Sequence, residues 1–230
     1  MPLTRHYSSS APIALSASTQ FQTYLLFALA MGLTVVGVGA GIAFAPVLLT
    51  TGMHVLFFIV EMGIILTAPL WMEKYPFNYF LFGLFPLLSG ITFTPYVMMI
   101  LIEYVNGAEI LLNALIATTF MALAAAVFAR MAPSLEGLAR GLLLALVGIL
   151  FFMIAQIFLP GLRTGTAELF ISGIGIVVFA LFTALDLQRV QRMGSLGVSP
   201  FLLALRLYLD IFNLFLFVLR FMSAFGGQRR

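Results

Sequence analysis

The chain contains no cysteine, which excludes disulfides, thiol nucleophiles and thiolate-bound metals. It has only two histidines, His6 and His54, too few to build an ordinary zinc site. Charge is equally scarce: 8% of its 230 residues are charged, against about 25% in soluble domains. No Gly-rich phosphate loop and no Asn-x-Ser/Thr acceptor is present. The net charge of +3 is small, and its basic residues sit mostly at the ends of apolar segments. There they serve topology better than nucleic-acid binding, so no nucleic-acid partner is expected.

What is abundant is apolar side chain: 63% of the chain is hydrophobic and the mean hydropathy is +1.15. A soluble core of that composition would have too little polar surface to cover it. The chain therefore reads as an all-α integral membrane protein with no length left for a separate soluble domain. Outer-membrane strands are excluded, because no segment alternates polar and apolar residues.

Residues 1–20 are rich in Ser, Ala, Pro and Thr and read as a disordered tail, not a signal peptide. Apolar segments follow at 21–45, 52–70, 77–103, 109–129, 138–159, 167–190 and 200–223. This gives a seven-helix transmembrane domain over 21–223 and a short basic tail at 224–230. Each segment approaches or exceeds the roughly 20 residues needed to span. The third contains Pro86, Gly90 and Pro95, which predict a bend or a tilt. Gly37/Gly41 and Gly137/Gly141 predict close helix contacts. Short loops make consecutive helices antiparallel neighbours. No internal repeat points to an inverted-repeat transporter.

With the N-terminus inside, the inner ends hold Arg5, Lys74, Arg130, Arg140, Arg189 and Arg192. The outer ends hold Arg163, Arg220, Arg229 and Arg230, together with acidic Glu103 and Glu109. The excess favours a cytoplasmic N-terminus, although the pair Arg229/Arg230 pulls the other way. The compact loops suit a bacterial inner-membrane protein.

Two acids stand where an acid is expensive, Asp186 late in segment six and Asp210 within segment seven. A charge at the bilayer centre costs roughly 2.5–3.5 kcal/mol on insertion scales. Capping a helix end among headgroups would be the ordinary explanation for Asp186. However, an antiparallel hairpin turning near residue 198 places Asp186 level with Asp210, and Thr183 level with Asn213. Both acids then lie about 15 Å from the turn. Arg206, Asp210, Asn213 and Arg220 form a polar stripe down segment seven, which should face the bundle interior. An ion pair of Asp210 with Arg206 that only fixes packing is the plain alternative. Two carboxylates in contact cannot both ionise cheaply, so they would titrate as a unit. Sharing a proton, the pair clamps the two helices. Fully ionised, it loosens them or holds a hard cation such as Ca²⁺.

Other polar residues fall inside the apolar segments. Glu61 is flanked by Phe, Ile, Val and Met, with His54 two turns away on the same face. It either lines a pathway or is a packed, protonated acid. Ser89, Thr92, Tyr96 and Glu103 share one face of segment three, suited to bonding across helices. Gln156 and Asn113 read as helix glue, Arg163 and Glu168 as loop charges.

Four of these stretches resemble the transmembrane Bax inhibitor motif family, also called the Bax inhibitor family, in its bacterial type. They are LRLYLDIFNLFLFVLR (205–220), FTALDLQRV (182–190), VEMG (60–63) and LSGITFTP (88–95). With the segment count, the resemblance covers nearly the whole chain from about residue 20. It implies six helices around a central C-terminal seventh, and a pH-dependent Ca²⁺ leak governed by an aspartate dyad. Matched residue by residue, the dyad is Asp186 and Asp210, which would also hold Ca²⁺ transiently, and the pathway glutamate is Glu61. Asn213 and Thr183 join it as pathway candidates. Some members carry an arginine late in helix two that latches onto the dyad. Here that helix ends Leu70-Trp-Met-Glu-Lys74, so the latch is missing, and Arg206 and Arg189 are the candidate counter-charges.

The leading expectation is thus a pH-sensitive Ca²⁺-leak protein: not an enzyme, monomeric, without a tightly bound cofactor, with Ca²⁺, protons and the bilayer as partners. A non-conducting regulator that binds another membrane protein or a protease is the first alternative. A proton-coupled cation transporter is the second. Intramembrane aspartyl proteolysis is weaker, because the Gly-x-Gly-Asp context is absent.

Overall fold

The structure is a computed structural model describing residues 15–193 and 198–226. In order, it has α1 (Leu15–Ala43), α2 (Ala45–Thr51), α3 (Met53–Leu66), α4 (Ala68–Trp71), α5 (Phe77–Glu103) and α6 (Gly107–Met131). A 3-10 turn at Leu135–Leu138 leads into α7 (Ala139–Phe158), and another at Pro160–Leu162 precedes α8 (Gly165–Met193) and α9 (Pro200–Gly226). The expected tails at 1–20 and 224–230 lie largely outside the described residues. Where they overlap them, α1 already begins at Leu15 and α9 runs to Gly226.

α1, α5, α6, α7, α8 and α9 are each long and apolar enough to cross a membrane, and α2–α3 taken as one bent span makes seven. The second segment, expected over 52–70, is divided into α3 and α4, and residues 46–51 before it, left outside any expected segment, fall in α2. α2 and α3 meet at an angle of 86°. Gly52 sits at the elbow with φ 69°, a left-handed conformation that a side chain would disfavour. His54 braces the bend, its Nδ1 lying 3.1 Å from the Leu48 carbonyl oxygen. At the other end, Pro69 in the first turn of α4 restarts the helix after α3 has stopped. α5, by contrast, runs unbroken through both Pro86 and Pro95.

α9 is the central helix. It packs against α8, α1, α6 and α5. In its most apolar stretch 61% of residues are buried, against 17% for the span that contains α7. Leu203, Ala204, Leu207, Tyr208, Leu214 and Leu219 are all enclosed.

α1 and α5 form the other tight pair. A Cβ on Gly37 would collide with the Leu87 carbonyl, and one on Gly90 with the Thr34 carbonyl, so these backbones touch. That is close packing by small residues, which drives helix association where lipid removes the hydrophobic incentive. Gly137 and Gly141 face open space, so the second expected close contact is not made there.

Candidate functional site

The site lies where the C-terminal part of α8 and the N-terminal half of α9 meet the turn between α6 and α7. Asp186 and Arg189 are three residues apart on α8 and so share a face. Arg189 Nη1 donates to Asp186 Oδ1 at 2.9 Å. The rest of the guanidinium turns outward: Nε donates to Glu136 Oε1 at 2.9 Å and Nη2 to Glu136 Oε2 at 3.0 Å. Thus the two-pronged fork, the geometry that suits an arginine–carboxylate pair best, goes to Glu136 on the turn. Asp186 receives the one remaining bond.

Asp210 comes from α9. Both aspartates are buried, 5% and 8% exposed, and their side chains lie within hydrogen-bonding reach of each other. Asp210 Oδ2 is buried and has no donor. The structure therefore brings the two acids together as the hairpin register suggests, with Arg189 as the cation in contact. Arg206 is exposed and makes no ion pair among the described residues, although its charge acts on both aspartates. The end of the second span, where the sequence lacks a latch arginine, is apolar. Trp71 and Met72 are buried in one cluster with Phe201, Leu205 and Tyr208 of α9.

Gln188 is a functional candidate that sequence reasoning missed. It is buried, and its Nε2 donates to the carbonyls of Ala129 at 2.9 Å, Ala132 at 3.2 Å and Pro133 at 3.0 Å. Its Oε1 accepts the Leu135 amide at 3.0 Å. One side chain from α8 thereby satisfies carbonyls that the end of α6 leaves without partners, and fixes the turn that carries Glu136. The legible hint was a glutamine placed between Asp186 and Arg189 in an apolar helix.

The level pair Thr183 and Asn213 does not bond across the helices. Thr183 donates to the Phe179 carbonyl at 2.8 Å and Asn213 to that of Leu209 at 2.7 Å, each within its own helix. Glu61 is buried and meets α5, accepting from Ser89 at 3.1 Å and from Thr92 at 2.7 Å. Nearby, the Tyr208 hydroxyl lies 2.8 Å from Thr34 Oγ1, so α1, α3, α5 and α9 all contribute to one polar region.

At the far end of α8 and α9 a second charged cluster forms. Arg220 pairs with Glu168 and donates to Gln156 Oε1 at 3.1 Å. Gln156 in turn donates to Glu168 at 3.0 Å. Glu168 is not a loop charge, as expected, but a first-turn residue of α8 locked to α9. Gln156 does act as glue, whereas Asn113 is exposed and has no side-chain hydrogen bond among the described residues.

The bundle and its enclosed acids define a multi-pass integral membrane protein. Residues 18–227 match the family model described as "Inhibitor of apoptosis-promoting Bax1", and the chain belongs to this Bax inhibitor family. An uncharacterized protein of Campylobacter jejuni is 28% identical, covering 97% of this chain and 98% of that one. An uncharacterized Borreliella burgdorferi protein is 28% identical over 65% of this chain and 63% of its own length. The Escherichia coli inner membrane protein YbhL is 35% identical over 41% of this chain and 42% of its own.

Proposed function

We propose that this protein is a pH-sensitive Ca²⁺ leak of a bacterial inner membrane, with a cytoplasmic N-terminus and the Asp186/Asp210 pair as its gate. The observation that carries the reading is the pair itself. Two buried carboxyls lie in mutual reach, one with a single bond to Arg189 and the other with an oxygen that has no donor. A proton on one carboxyl gives the pair an O–H···O bond and ties α8 to α9. Without the proton, two negative charges face each other with one arginine between them and Glu136. Protonation thus changes what holds α8 to the central helix α9.

Glu61, with its two hydroxyl partners, and the carbonyl-bonded Thr183 and Asn213 offer oxygen atoms of the kind that replace water around a hard cation. Ca²⁺ is cargo in this reading, held transiently by the aspartates, and the chain works as a monomer and not as an enzyme. The test is Ca²⁺ efflux from liposomes holding only the purified protein, across pH and with and without an imposed proton gradient. The account expects efflux that depends on pH. Efflux absent at every pH would replace it by the non-conducting regulator, and dependence on the proton gradient itself by a coupled transporter.

A further inference from the structure

The pair has a cover. Exposure falls step by step from the surface inward: the side chain of Glu136 is 45% exposed, that of Arg189 19% and that of Asp186 7%. Among the described residues the Arg189 guanidinium lies between Asp186 and Glu136 of the α6–α7 turn. The turn between Met131 and Ala139 is a surface strap with one buried side chain, Leu135. Leu135 plugs an apolar cluster with Ala129 of α6, Leu185 of α8 and Leu207 of α9. Gln188 pins its backbone, and Glu136 takes two of the three bonds made by Arg189.

We propose that the α6–α7 turn is a strap closing the inner mouth of the Asp186/Asp210 site, and that Glu136 is the positioning residue that keeps it shut by holding Arg189. No family signature led to Glu136; the strap follows from three independent attachments converging on seven residues of chain between Ala132 and Leu138. The inference rests on the pair being the functional site, and does not need Ca²⁺ to be what passes.

The absence of cysteine makes a direct test available. Leu207→Cys puts one thiol under the strap, and Leu135→Cys puts one on its buried plug. In the full chain, reconstituted in lipid, each thiol is exposed to a membrane-impermeant maleimide. Glu136→Ala should raise both labelling rates about five- to thirtyfold, the range that a loss of one to two kcal/mol of local closure produces. Arg189→Ala should raise them equally, and the double variant no further. Glu136→Asp should restore slow labelling. Labelling unchanged by Glu136→Ala at both probes overturns the strap. So does failure of Glu136→Asp to restore it. Accelerated labelling in a protein that passes no Ca²⁺ upholds the strap and strikes only the calcium reading.

Discussion

Truncating Gln188 is the sharpest stability test of the site. Gln188→Ala removes the Nε2 donor to Ala129, Ala132 and Pro133 and the Oε1 acceptor for Leu135 N–H, all between 2.9 and 3.2 Å. Two N–H groups serve three carbonyls, so the loss amounts to three hydrogen bonds. At about 1 kcal/mol net each, and with the Leu135 amide left buried and unpaired, the cost is about 3–4 kcal/mol. Asn213→Ala is the control: its amide bonds the Leu209 carbonyl, which belongs to its own helix. Losing that bond strands no group on another element, and the cost should be about 0.5 kcal/mol. Gln188→Met would refill the volume but not the bonds, and should recover less than half of the loss. Reversible unfolding in mixed detergent micelles, followed by circular dichroism, gives the three values. A Gln188→Ala cost as small as that of Asn213→Ala would refute the claim that this side chain holds the turn.

The charged cluster at the far end should also be cooperative. A double-mutant cycle of Arg220→Met and Glu168→Gln is expected to give a coupling of about 1–2 kcal/mol, because both side chains are partly buried and share Gln156; additive effects would contradict the network. Gly90→Ala should cost about 2–3 kcal/mol in the same unfolding assay, since its Cβ meets the backbone of α1. Gly137→Ala, facing open space, should be near neutral, and equal effects at the two glycines would refute the α1–α5 contact.

Much of this architecture was legible before any coordinates. Apolar length marked the spans, and the short turn before Pro200 set the register that levels Asp186 with Asp210. What escaped was anything that depends on the rotation of one helix against another. Ser89 and Thr92 were readable as one polar face, but their meeting with Glu61 requires knowing where α3 lands on α5. Glu168 looked like a loop charge because its partner, Arg220, is 52 residues away. Gln188 was silent because its partners are backbone carbonyls and an amide, which leave no trace in side-chain patterns. Glu136, in a turn of Ser, Leu and Gly, belongs to no pattern that marks it out. The break at Gly52 falls at an expected segment boundary, but the short helix α2 before it did not show, because it is shorter than a span. Thr183 and Asn213, expected level across the hairpin, each spend their polar group on the carbonyl four residues back.

The central claim is that protonation of the buried acid pair controls passage through the bundle. Its most direct test compares Ca²⁺ efflux against pH for the natural chain and for Asp210→Asn, in the same liposome preparation. The substitution keeps the size of the side chain and removes its titration. The account predicts efflux that changes with pH in the natural chain and a flat profile in Asp210→Asn. An Asp210→Asn profile that keeps the natural midpoint and amplitude would contradict it.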